Sequence, residues 1–171
     1  HTIHNTQRAK RLGADAVLIV TPYYNKPTQE GIFRHFAAVC DAVDIPIIVY
    51  NIQGRAGVNI ETATLRRIAQ LGNIVAVKEA SGNIGQMGDV LDSIARSRSG
   101  FCVMSGDDAL TMPLMALGGR GVISVVGNLL PEKIVGMVNA CLEGDFARAR
   151  EMHFGLLPIF RGAFIETNPV P

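Results

Sequence analysis

Five short apolar runs recur along the chain: AVLIVT from Ala16, IPIIVY from Ile45, IVAVK from Ile74, FCVMS from Phe101 and GVISV from Gly121. Each is nearly continuous in apolar residues rather than alternating, the pattern of a strand buried on both faces in a parallel sheet. Between the runs the apolar spacing changes to that of a helix. Ile32, Phe36, Val39 and Val43 form one stripe; Leu65, Ile68 and Leu71 form a second; Met87, Val90, Leu91 and Ile94 form a third. Thr28, Asn59 and Asp107 stand where N-caps are expected, and Pro131 at a first helical position. The chain therefore reads as alternating helices and strands closing with two helices, which implies right-handed crossovers between parallel strands.

Two α/β architectures accommodate that order: a closed (β/α)8 TIM barrel and a doubly wound sheet. A whole barrel takes about 250 residues, and this chain has 171. Five units then correspond to the C-terminal five strands of a barrel and their helices. HTIHNTQRAKRLG opens as a helix already under way without an initiator methionine, and ETNPVP closes in an extended, proline-locked segment. Both ends favour the barrel, and the expectation is one partial TIM-barrel catalytic domain over residues 1–171. Its N-terminal strands and C-terminal tail would lie outside the chain.

Net charge of +1 leaves no electrostatic footprint for nucleic acid or an anionic membrane surface. The longest apolar runs fall far short of the roughly 20 residues of a membrane span. Cys40, Cys102 and Cys141 are scattered, with no metal-ligand spacing, and read as buried thiols of a reducing, cytoplasmic compartment. His1, His4, His35 and His153 share no metal spacing either and read as surface or interface residues on helices. No metal is expected.

In parallel α/β folds chemistry gathers at the carboxyl ends of the strands. Thr21–Asn25, Tyr50–Asn51, Lys78–Glu79, Ser105–Asp108 and Ser124 all stand there. By alternation Lys78 shares a face with Ala76 and Ile74, while Glu79 points the other way with Val75 and Val77. Tyr50 shares a face with Ile48. A lysine and a phenol from adjacent strands then enter one apolar mouth. An apolar setting lowers an amine's pKa and exposes a nucleophile able to form an imine with a carbonyl, with Tyr50 moving protons. A structural partner for a carboxylate and a phosphate clamp are the other roles open to such a lysine. Arg55, in YNIQGRAG between Gly54 and Gly57, can grip a carboxylate in bidentate fashion or be a solvated loop arginine.

Asp107-Asp108, opening a helix in SGDDAL, read as capping residues rather than a metal pair. LGGRG precedes a strand, away from the chemistry, and its glycines read as a helix end. Gly127-Asn128, after the fifth run, stand at the end where a ligand could touch them.

TPYYNKPTQEG, YNIQGRAG, VKEASGN, SGDDA and GGRGVISV together resemble the pyruvate-dependent class I aldolases, the family that also holds N-acetylneuraminate lyase and keto-deoxy-sugar aldolases. The resemblance runs the length of the chain and implies a (β/α)8 barrel. It implies that Lys78 forms the imine with pyruvate and that Tyr50 is proton donor and acceptor. It places Tyr24 in a proton relay that reaches a neighbouring subunit, Ile123 against pyruvate through its backbone, and Gly106 in the same pocket. Tyr23 would lie at that interface, where some members bind lysine as inhibitor; plain interface packing is the preferred reading. The implied assembly is a homotetramer, a dimer of dimers, working without a cofactor.

Arg55 points within the family to the synthase that condenses pyruvate with L-aspartate semialdehyde toward lysine and diaminopimelate. A sugar-acid lyase, or a non-catalytic piece of the barrel, is the alternative. The chain departs from the family's commoner loop at Gln53 and Ala56, which is expected to loosen that loop. The early strand that carries the family's threonines is not in this chain.

Overall fold

The first four apolar runs form β1 (Val17–Val20), β2 (Ile47–Asn51), β3 (Ile74–Glu79) and β4 (Cys102–Ser105). The structure, a computed structural model, describes residues 1–170; Pro171, the last residue of the ETNPVP segment, lies outside them. The strands stand in the order β1-β2-β3-β4, with β1–β2 and β2–β3 parallel and β1 at the edge. Parallel neighbours cannot be joined by a tight turn, so a helix must return the chain each time. Helix α1 (Thr2–Arg11) precedes β1, and α2 (Gln29–Ala42) joins β1 to β2. A single turn, α3 (Gln53–Ala56), and α4 (Thr62–Ile68) lead from β2 to β3. Helix α5 (Ile84–Val90) continues through a π-helical turn, Leu91–Ala95, toward β4.

The chain divides into two compact units, His1–Val103 and Met104 onward. In the first, one face of the sheet is covered: Ile19, Ile47, Val49 and Val77 are buried, as are Ile32, Phe36, Val39, Leu65, Ile68, Met87, Val90 and Ile94 on the helical stripes. Burying side chains of that size contributes about 1.5–3 kcal/mol each, which is why these short helices hold. The opposite face is barer, and Leu18 is 43% exposed.

The alternation in β3 is broken at its start. Ile47 pairs with Ile74 but Ile48 pairs with Ala76, so Val75 is an extra, bulged residue and is 36% exposed. Ile74 therefore shares the covered face with Ile47 and not the face of Lys78, against the sequence expectation.

Thr28 caps α2 as expected, its hydroxyl accepting from the Gly31 amide at 3.2 Å. Asn59 does not cap α4, whose N-cap is Glu61; its side chain joins a polar cluster described below. Cys141 is buried, but Cys40 and Cys102 are only half-buried, which corrects the expectation of three buried thiols.

The second unit holds α6 (Thr111–Ala116), α7 (Pro131–Leu142) and α8 (Phe146–Gly162). Pro131 occupies the first turn of α7, where its missing amide hydrogen costs no bond. Val126, Ile134, Met137, Leu156 and Phe160 form the core of this unit. At Gly136 a Cβ would come within 2.7 Å of Met152 Cε, so a larger residue there would displace the end of that flexible side chain. Gly118, at φ +112°, and Gly119 close α6, their amides bonding Met115 and Leu114 carbonyls at 3.0 Å. After α8, residues 163–169 turn rather than extend, with the Val170 amide on the Thr167 carbonyl at 3.1 Å.

GVISV forms no fifth strand. It makes one parallel bridge, Ser105 to Val122, with Ser105 N on Gly121 O at 2.8 Å and Ile123 N on Ser105 O at 2.9 Å. Asp108 explains the stop. Its buried carboxylate accepts the Ser124 hydroxyl and the amides of Val125 and Val126, at 3.0 and 3.1 Å, and turns the chain into a 3-10 turn, Val126–Asn128. Asp107 caps no helix: α6 begins at Thr111, and Asp107 Oδ1 accepts the Ala109 amide at 2.8 Å. Asp108→Ala leaves one buried and two half-buried donors unmatched and is expected to destabilise this unit by about 2 kcal/mol. The denaturant midpoint reads it.

His153 corrects another expectation. It is 8% exposed, between Phe154 and Phe160, with Nδ1 lacking a hydrogen-bond partner. Burial pushes its pKa below the ordinary 6.5, and half-buried His35 behaves alike. Below pH 6.5 the unfolded chain takes up protons that these folded imidazoles resist, so stability is full above that pH and falls as acid drives them through their folded values. His153→Phe is expected to flatten the loss of melting temperature between about pH 7 and about pH 5.

Candidate active site

Tyr50 and Lys78 face each other because β2 and β3 run parallel in a register that pairs them, with Val20 of β1 completing the row. The row beneath is Leu18, Ile48 and Ala76. Lys78 is 9% exposed, and its Nζ lies 4.2 Å from the centroid of the Tyr50 ring. An ammonium over an aromatic face is held by the ring's quadrupole, which offsets part of the cost of removing the charge from water.

Burial pushes the Tyr50 phenol above its ordinary range, and Arg55 pulls it part of the way back. The hydroxyl thus stays protonated at neutral pH and is available as an acid. Arg55 rides on α3, whose turn is closed by Ala56 N on Ile52 O at 2.9 Å and Gly57 N on Gln53 O at 2.8 Å. The segment, Gln53 and Ala56 included, is a helical turn. Gly57 is needed: its φ is +72°, and a Cβ there would meet Lys26 Cε at 2.9 Å. Gly54 has an ordinary conformation and open space, so it confers no comparable tightness.

A cleft of about 320 Å³ opens on this face, lined by Leu18, Val20, Tyr23, Tyr50, Ile52 and Arg55. The fold thus gathers Tyr50, Arg55 and Tyr23 around one apolar space, and sets Lys78 against the Tyr50 ring beside it. Tyr24 is elsewhere. It is 94% exposed, at φ +66°, a left-handed conformation that costs a non-glycine residue about 1 kcal/mol. Gly106 and Ile123 belong to the second unit, where Gly106 directly follows β4 and the Ile123 amide is engaged by Ser105. Gly127, in the 3-10 turn, gives its amide to Ser124 Oγ at 2.6 Å. Asp107 and Asp108 bind separate donors and form no pair.

A polar cluster behind this face escaped the sequence reading. Asn51 and Glu79, both fully buried, bond to each other; Asn59 accepts from Asn51 at 2.9 Å and donates to Gln86 at 2.8 Å; Gln29 donates to the Asn59 carbonyl at 2.8 Å. The available signal was two polar residues at strand ends on the covered side, where their neighbours are apolar.

Parallel strands joined by helices, with a lysine and a tyrosine at the carboxyl ends, define a parallel α/β chain, and the solved structures that match it are of the TIM-barrel family. The crystal structure of dihydrodipicolinate synthase from Aquifex aeolicus matches 99% of the chain and 57% of its own, at a TM-score of 0.95 and 48% identity. That from Thermotoga maritima matches 99% and 58%, at a TM-score of 0.97 and 43% identity. The 4-hydroxy-tetrahydrodipicolinate synthase of Protochlamydia amoebophila is 57% identical over 169 residues, 99% of this chain and 56% of that protein. The chain thus spans a little over half the length of the relatives it matches. The model of the dihydrodipicolinate synthetase family matches residues 1–171, and the chain belongs to that family.

Proposed function

We propose that this chain is the Schiff-base-forming part of a 4-hydroxy-tetrahydrodipicolinate synthase, a lyase of lysine and diaminopimelate biosynthesis. The observation that carries it is the Lys78 amine 4.2 Å over the Tyr50 ring at the carboxyl ends of adjacent parallel strands. Lys78 Nζ, once its ammonium has given up a proton, attacks the keto carbon of pyruvate, and water leaves with a proton relayed by Tyr50. The iminium draws electrons from the adjacent methyl, which loses a proton to give an enamine. The enamine carbon then attacks the aldehyde of L-aspartate semialdehyde, whose carboxylate Arg55 holds. Finally the semialdehyde amine displaces Lys78 from the imine carbon, closing the ring and freeing the lysine. The iminium formed on Lys78 serves as electron sink, so the sequence calls for neither organic cofactor nor metal.

The barer sheet face and the open edge of β1 support a lumen that further strands complete, making residues 1–171 part of one barrel domain. Gly106 and the Ile123 backbone are proposed to line the pyruvate pocket, and Tyr23 to pack at a subunit interface. No helix among the described residues is long and apolar enough to cross a membrane; we place the enzyme in the cytoplasm. The test is turnover of pyruvate with L-aspartate semialdehyde by the native polypeptide, set beside cleavage of sugar acids. Condensation is expected; cleavage alone would overturn the reading.

The strained, exposed Tyr24 supports an assembly in which its hydroxyl serves a neighbouring subunit, in a homotetramer built as a dimer of dimers. Tyr24→Phe should depress turnover and spare imine formation. Mixed Tyr24→Phe and Lys78→Ala subunits should regain activity, because a hybrid dimer has one site with both defects and one with neither. No recovery despite proven exchange would place Tyr24 in its own subunit's site.

A further inference from the structure

Immediately after Tyr50 and Lys78 both strands turn a polar side chain to the covered face, and the two meet. Asn51 and Glu79 are in register and fully buried. Asn51 Nδ2 donates to both Glu79 oxygens, at 3.1 and 3.2 Å, and the Ser81 amide donates to Oε1 at 2.7 Å. The Asn51 orientation is set by the backbone, since its Oδ1 accepts the Ile60 amide at 3.0 Å. Its own carbonyl accepts the Ala80 amide at 2.8 Å. Each of these contacts on Glu79 is a donor, so this position calls for two acceptor oxygens. Glutamine would set its NH2 group against that of Asn51. A buried carboxylate is also a costly way merely to hold two strands together, since an apolar pair of similar volume does so without desolvating a charge.

We infer that Glu79, acting through Asn51 and Ser81, is the positioning residue for the nucleophile. It locks the ends of β2 and β3 in the register that sets the Tyr50 ring against the Lys78 amine, and it fixes the turn that follows Lys78. This rests on the reading of Lys78 as the imine-forming lysine. Displacing a reacting group by about 1 Å costs on the order of 100-fold in rate, so loss of the lock should show in the chemical step.

The experiment is single-turnover borohydride trapping with pyruvate, on the native polypeptide and on Glu79→Gln, Asn51→Asp and the double variant. A displaced lysine lowers the rate constant; a partly unfolded sample lowers only the amplitude. Each single variant is expected to slow trapping by about 10- to 100-fold with amplitude kept. The double variant again pairs a carboxylate with an amide, and is expected to recover at least about fivefold of that loss. Glu79→Gln trapping at the native rate, or a folded double variant without recovery, overturns the inference. Should the single variants fail to fold, a double variant that folds and traps near the native rate supports it. One that folds and traps slowly, or does not fold, overturns it. Native protein that is not trapped at Lys78 refutes the nucleophile itself, a separate failure.

Discussion

Lys78→Ala is expected to abolish turnover, with a fall of about four orders of magnitude or more, because the proposed covalent step is made on the Lys78 amine. Lys78 is the amine set against the Tyr50 ring, at the end of β3 and almost out of water. The strand should survive its loss. Ala76, Val77 and Glu79 keep their own burial and bonds, and removing a buried cation also removes its desolvation cost. Steady-state assay with a melting curve on the same sample separates lost chemistry from lost fold. A Lys78→Ala protein that folds and turns over at more than about a hundredth of the native rate would be incompatible with a covalent role.

Arg55→Ala carries the second large effect. The guanidinium lines the cleft beside Tyr50 and lowers that phenol's pKa. If it holds the carboxylate of the aldehyde substrate, its loss should raise KM for L-aspartate semialdehyde by about 10- to 100-fold and leave pyruvate trapping nearly unchanged. The alkaline limb of the rate profile should move to higher pH, since the charge that pulls Tyr50 down is gone. An unchanged KM for the semialdehyde would remove Arg55 from substrate recognition and favour the lyase reading.

Much of the fold was legible in the sequence because the relevant signals are local. Continuous apolar runs mark the strands, although only one face of the sheet is covered here, and the 3.6-residue stripes on α2, α4 and α5 mark the helices that cover it. The pairing of Tyr50 with Lys78 was legible as well, each standing at the carboxyl end of its run. What escaped depends on contacts distant in the chain. A bulge at Val75 changes facing without changing composition. The fifth run is cut short by Asp108, sixteen residues before Ser124. Asn59 left its expected capping role for Asn51 and Gln86, and His153 is buried because Phe160 returns against it about two turns along α8. The cleft was only half legible: Tyr50 and Arg55 were anticipated, while Tyr23 beside them depends on how the loop after β1 turns.

The central claim is that Lys78 forms an imine with pyruvate, and borohydride reduction tests it most directly. The native polypeptide, incubated with pyruvate, reduced and digested, is predicted to carry one reduced pyruvyl adduct, on the peptide containing Lys78. Tyr50→Phe should carry it too, formed more slowly. A Lys78 that remains unmodified, or an adduct on another lysine, would contradict the account.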